Sequence, residues 1–275
     1  MAGKIFGLNL ENTNPNIDVV KKPARVVIFA LASDYGCQLQ ITNVEEHLLD
    51  VLGMFELVYW QLASSEEMPD DYDVAIVEGA VCTAEDEQLL RRIRLTADVV
   101  IAIGACAITG GIPGMATDGQ KARIEDVYGS VPQPSVGFQA PRPISDFVDV
   151  DFEVAGCPIE PLEFVSVLQR ALLGSKPRDH HSTLCGSCRL NENECFIQDG
   201  TLCMGLVTRT GCDARCVADG RPCSGCRGLA DAANVPSARA IVEAAGLDLS
   251  EFDRRLELFN AAGMAAQAAA GEGED

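Results

Sequence analysis

The chain has 275 residues, 47% of them hydrophobic, which supports a large core and excludes wholesale disorder. Lysine and arginine total 21 against 41 aspartates and glutamates, so the net charge is −20, which excludes nucleic-acid or anionic-lipid binding through bulk charge. Twelve cysteines are the feature to explain, being too few for a disulfide miniprotein of this length and too many for chance packing.

The first residues, Met1-Ala-Gly-Lys-Ile-Phe-Gly-Leu-Asn-Leu10, carry no basic region followed by an apolar run of signal length. No uninterrupted apolar stretch of about 18 residues occurs, so no membrane span is expected. A cytoplasmic location follows, and there clustered cysteines are more often metal ligands or catalytic groups than disulfides.

Residues 1–24 read as an N-terminal extension. Arg25–Leu31 is a continuous apolar run, as in a strand buried on both faces. Ile41, Val44, Leu48 and Leu52 follow at helical spacing, with Gly53 as the stop. Phe55–Trp60 and Asp73–Val77 read as the second and third strands. Thr83-Ala-Glu-Asp86 has the form of a capping box and opens a helix to about Leu95. Asp98–Ile103 is the fourth strand and Phe152–Ala155 a short fifth, followed by a helix from about Pro161 to Leu173. Strands alternating with helices over 25–174 predict an α/β domain with a parallel, doubly wound sheet in flavodoxin-like order. Residues 175–230 are rich in Gly, Arg, Asp and Cys and lack periodicity, so an irregular segment held by something covalent or metallic is expected. Residues 231–275 return to short helices, Pro236–Ala245 and Ser250 to about Phe259, and end in a fraying tail.

Cys37, Cys82, Cys106 and Cys157 each follow one of the predicted strands. Ligands of open parallel sheets bind beyond the carboxyl ends of the strands, so these four thiols are expected on one rim. Glycines beside them permit close backbone approach and leave amide protons for sulfur. Four thiolates suit either zinc or an iron–sulfur cubane, and ligands drawn from four separate loops fit redox use better. The remaining eight run Cys185-x2-Cys188-x6-Cys195-x7-Cys203, then Cys212-x3-Cys216-x6-Cys223-x2-Cys226. Eight ligands make two four-ligand sites; zinc ribbons and interleaved pairing both remain open on spacing alone.

Several of these stretches match a known family. They are Val77-Glu-Gly-Ala80, Gly104-Ala-Cys-Ala107, Gly110-Gly-Ile-Pro-Gly114, Gly156-Cys-Pro158, Cys203-Met-Gly-Leu-Val-Thr-Arg-Thr-Gly-Cys212 and Pro222-Cys-Ser-Gly-Cys226. The chain resembles the small, electron-transferring subunit of nickel–iron hydrogenases. The likeness is strongest to the cytoplasmic viologen-reducing, heterodisulfide-reductase-linked and sulfhydrogenase types, and some motifs are shared with the 20 kDa subunit of complex I. The resemblance covers roughly residues 25–230.

It implies three 4Fe–4S clusters and a nickel–iron centre on a separate large subunit. The proximal cluster would lie in the flavodoxin-like domain. Cys212, Cys216, Cys223 and Cys226 would hold the medial cluster, and Cys185, Cys188, Cys195 and Cys203 the distal one. Further electron-accepting subunits, carrying flavin or iron–sulfur groups, would complete the assembly. A membrane-bound and periplasmic branch has histidine where Cys185 stands and proline where Cys216 stands, so Cys216 implies four irons in the medial cluster. His180 and His181 are off register and read as surface residues. The family opens with Cys-x-x-Cys after the first strand, whereas this chain has Asp34-Tyr-Gly-Cys37. Either Cys82 replaces the missing thiolate or Asp34 ligates through oxygen. Thiolate is the softer and commoner ligand, so Cys82 is preferred. No nickel-binding pair of Cys-x-x-Cys motifs remains, so dihydrogen would be activated on the partner. Two rivals stand beside this reading: a related electron-transfer subunit whose large partner lacks nickel chemistry, and a zinc-stabilised binding module. Glu78 reads as a solvated or interface-paired carboxylate, and Tyr59 and Trp60 as strand packing.

Overall fold

The computed structural model describes residues 22–44, 48–115, 129, 138–177 and 182–261. The N-terminal extension up to residue 21, His180, His181 and the tail from residue 262 lie outside the described residues.

Five strands form one all-parallel sheet: β1 (Arg25–Ala30), β2 (Glu56–Trp60), β3 (Val74–Glu78), β5 (Val99–Ile103) and β7 (Phe152–Val154), in the order β2-β1-β3-β5-β7. Counting only these strands the order is 2-1-3-4-5, the flavodoxin-like arrangement expected. The apolar runs work as read: Val26, Ile28, Val74, Ile76, Ile101, Ile103 and Val154 pack on one face against Phe164 and Leu168 of α5 (Pro161–Leu172). Val27, Phe29, Ala75, Val77, Val100 and Ala102 pack on the other against Leu90 and Ile93 of α3 (Ala84–Thr96). The capping box at the start of α3 is present: Thr83 Oγ1 accepts the Asp86 amide and Asp86 Oδ2 accepts the Thr83 amide.

Some details differ from expectation. The helical pattern after β1 is divided between α1 (Gly36–Thr42) and α2 (Leu48–Leu52), because the backbone leaves helical geometry after Thr42. A pair unforeseen from the sequence, β4 (Val81–Thr83) and β6 (Phe138–Arg142), forms a separate antiparallel sheet. The helix α9 (Leu249–Leu258) is capped by Asp248 and not Ser250; Asp248 Oδ1 accepts both the amide and the hydroxyl of Ser250.

The cysteine-rich segment contains two short helices, α6 (Leu184–Leu190) and α7 (Arg215–Ala218), and is not held by its thiols alone. Leu184, Leu202, Met204, Val207 and Val217 bury themselves against Ala238 and Val242 of α8 (Val235–Ala244) and Phe252 and Leu256 of α9. The irregular segment and the C-terminal helices thus share a core. The apolar side of the segment comes from helices downstream in sequence.

Candidate functional site

The carboxyl ends of β1, β3, β5 and β7 turn into loops at one edge of the sheet. Three of these loops bring Cys37, Cys106 and Cys157 to a cavity of about 500 Å³, lined also by Asp34, Gly36, Glu78, Gly104, Gly156 and Pro158. Cys37 opens α1 and Cys106 lies in α4 (Gly104–Thr109). Gly104, at φ 85°, begins α4 tight against the neighbouring loop, and a Cβ there would lie 2.5 Å from Cys37 Sγ. The Ala105 amide ties the same turn to the Gly156 carbonyl at 2.7 Å. Burial raises the Cys37 thiol, with Glu78, Cys106 and Cys157 adding like-charge repulsion. The Cys106 thiol is pushed up to about 12 by burial, then by Cys157, Asp34 and Glu78.

Cys82 is not brought to this cavity. β3 ends at Glu78, Gly79 takes φ 97°, and Ala80 bridges back to Ala32, so the chain leaves the rim before reaching residue 82. Cys82 lies in β4, is 8% exposed, and its amide donates to Asp86 Oδ2 at 3.0 Å. Burial pushes its thiol up to about 11, and Asp86 adds to the rise. The expected convergence of four thiols is therefore corrected to three. The place that strand counting gives to Cys82 is held by Glu78, at the tip of β3 itself.

Of the two readings given for Glu78, solvated or interface-paired, the solvated one does not hold. Glu78 is 2% exposed, its Oε1 accepts the Cys37 amide at 3.0 Å, and its Oε2 lies buried with no hydrogen-bond partner among the described residues. Burial raises its pKa against the opposing Cys37 hydrogen bond. Asp34 lies on the cavity wall, where its Oδ1 accepts the Gly36 amide at 2.9 Å. Tyr59 and Trp60 pack as expected, and the Trp60 indole N–H donates to Gln38 Oε1 at 2.8 Å.

The eight later cysteines influence one another electrostatically within the segment. Burial pushes the Cys185 thiol up to about 11, and Cys203, Cys188 and Cys195 raise it further. Burial raises Cys226 as well, with Cys212 and Cys216 as its thiol neighbours. Cys223, pushed up to about 12 by burial, neighbours both Cys203 and Cys226, and its amide donates to Cys203 Sγ at 3.3 Å. Gly205 lies between thiols: a Cβ there would stand 3.7 Å from both Cys185 Sγ and Cys203 Sγ. Among the described residues, no three His, Cys, Asp or Glu side chains converge closely enough to hold a single metal ion. Soft thiolate donors, a cavity and glycine-lined approaches fit an iron–sulfur group.

One residue of this region carried no sequence signal. Arg227, directly after Cys226, is fully buried and pairs with Glu163 of α5.

Residues 35–171 match the family described as NADH ubiquinone oxidoreductase, 20 Kd subunit. The chain is 34% identical over 233 residues to sulfhydrogenase 2 subunit delta of Pyrococcus furiosus, covering 84% of this chain and 97% of that protein. It is 32% identical over 237 residues to one of the subunits of the F420-non-reducing hydrogenase vhu of Methanocaldococcus jannaschii, covering 75% and 82%. Among solved structures, the reduced, active Ni-Fe-Se hydrogenase from Desulfomicrobium baculatum superposes with TM-score 0.54 at 16% identity, over 75% of this chain and 94% of that one, a likeness of fold.

Proposed function

Because the chain belongs to the family of nickel–iron hydrogenase small subunits, related to the 20 kDa subunit of NADH ubiquinone oxidoreductase, we propose that it relays single electrons between a large subunit and an external acceptor through three 4Fe–4S clusters. The observation that carries this reading is the meeting of Cys37, Cys106 and Cys157, from three separate loops, in one cavity on the sheet's carboxyl rim.

Cys37, Cys106 and Cys157 would hold the proximal cluster. Asp34 is preferred over Cys82 as its fourth ligand, supported by Asp34 lining the cavity that Cys82 does not reach. Cys212, Cys216, Cys223 and Cys226 would hold the medial cluster, and Cys185, Cys188, Cys195 and Cys203 the distal one. When bound, each cluster supplies reversible one-electron chemistry. The protein's own residues position and insulate these groups. Gly104 leaves room beside Cys37 Sγ, and Glu78 holds the Cys37 amide. The Cys223 amide, donating to Cys203 Sγ, links the medial and distal ligand sets directly. The core around Met204, Val207 and Phe252 keeps water from one side of both sets. No described helix is long and apolar enough to cross a membrane. The dihydrogen-activating nickel–iron site is expected on the large subunit, with flavin or iron–sulfur subunits accepting the electrons.

The test is metal analysis of the purified complex with a dihydrogen-dependent dye-reduction assay. A brown small subunit with roughly twelve irons, four for each cluster, and a nickel-bearing partner is the expected result. A colourless chain carrying zinc would overturn the cluster assignment. An iron-loaded chain whose partner lacks nickel and activity would replace hydrogenase with an electron-transfer role alone.

A further inference from the structure

Arg227 is 2% exposed and Glu163 is 7% exposed, a degree of burial that charged side chains reach almost only when paired. The guanidinium is divided among three parts of the chain. Nη1 and Nη2 donate to the two carboxylate oxygens of Glu163, at 2.6 and 2.7 Å. Nη1 also donates to the Ala155 carbonyl at 2.5 Å, and Nε to the Thr210 carbonyl at 3.0 Å. Those carbonyls stand at informative places. Ala155 lies two residues before Cys157, Thr210 lies two before Cys212, and Arg227 itself follows Cys226. A single side chain thus grips the loop of one proposed proximal ligand and the loops of two proposed medial ligands.

The surroundings are shaped to this fork. Gly211 passes so close that a Cβ there would collide with Arg227 Nη2 and Glu163 Oε1. Lysine, with a point charge and no planar fork, cannot bridge Glu163 and two carbonyls in this manner.

The geometry points to Arg227 as a positioning residue that clamps the Cys157 loop against the Cys212 and Cys226 loops and so sets the separation crossed by the electron between the proximal and medial clusters. The step is an outer-sphere transfer: one electron leaves the first cluster and enters the second, with no bond formed or broken. This inference rests on the cluster assignment proposed above. The clamp acts across the sequence, because Glu163 and Ala155 belong to the sheet domain while Arg227 and Thr210 belong to the cysteine-rich segment.

The test compares the intact complex with its Arg227→Lys variant, by iron content and by low-temperature electron paramagnetic resonance of the reduced protein. Two reduced clusters held close split one another's signals through space, and the splitting falls steeply with separation. Arg227→Lys is expected to keep its iron and lose the wild-type splitting. Full iron with the wild-type splitting retained would overturn the inference, because a merely structural role lowers stability without moving the clusters that remain. Should Arg227→Lys emerge without iron, Glu163→Gln, which keeps the shape of the acceptor, is read by the same two outcomes. A wild-type complex without iron would refute the cluster assignment itself, which distinguishes that failure from failure of the clamp.

Discussion

Replacing Arg227 with Met leaves Glu163 at 7% exposure without its guanidinium. Pairing is what makes a buried carboxylate tolerable, and removing one member of a buried pair typically costs about 3–5 kcal/mol. The Ala155 and Thr210 carbonyls lose their donors in the same change, each worth about 1 kcal/mol or more, so the upper part of that range is expected. For a chain of this size that corresponds to a fall in Tm on the order of 10 °C. Thermal unfolding of the purified subunit, compared at equal iron content, reads the loss. The companion variant Arg227→Met with Glu163→Leu removes both charges and refills the space with apolar volume. It should recover most of the loss, because the penalty comes from burying a carboxylate that has lost its bidentate partner and not from the missing attraction. A single variant within about 1 kcal/mol of wild type, or a double variant no better than the single, would refute the reasoning.

Three further outcomes follow from the rim of the sheet. Cys82→Ala should leave iron content and the proximal cluster's spectrum unchanged, whereas Asp34→Ala should alter that spectrum alone; the opposite pattern would restore Cys82 as the ligand. Gly104→Ala should cut proximal cluster loading, since its Cβ would meet Cys37 Sγ at 2.5 Å and the residue sits at φ 85°; undiminished loading counted by iron analysis would show that the helix start can shift. In the loaded protein Cys82 remains a protonated thiol, its value raised from 9.0 to about 11 by burial. The unfolded chain ionises first, so this contribution is whole below about pH 9 and is lost as pH rises toward 11, amounting to at most about 3 kcal/mol. Denaturant titrations between pH 8.5 and 11 should therefore show a decline that Cys82→Ala flattens, and a decline of equal slope in the variant would refute it.

Much of this molecule was legible in one dimension. Strands buried on both faces must be apolar at every position, so Val26–Ala30, Val74–Val77 and Val99–Ile103 declare themselves without tertiary information. The Thr83–Asp86 capping box is equally local, since its donors and acceptors lie within one helical turn. The crowding of eight cysteines between Cys185 and Cys226 is visible in the sequence in the same way.

What the residue order could not decide were the outcomes that depend on a turn or a distant partner. Cys82 follows the third strand in sequence, yet Gly79 and the Ala32–Ala80 bridge carry it into a separate small sheet, while Glu78 stays at the rim. Glu78 carries no mark of its burial, because the amide it accepts belongs to a residue 41 positions away. Arg227 resembles any arginine in an arginine-rich segment until Glu163, 64 positions earlier, comes to meet it. Even the core of the cysteine-rich segment arrives from Val242 and Phe252, beyond its end. Periodicity and spacing report what neighbours along the chain demand of each other, and long-range packing alone chooses which charges and thiols share a site.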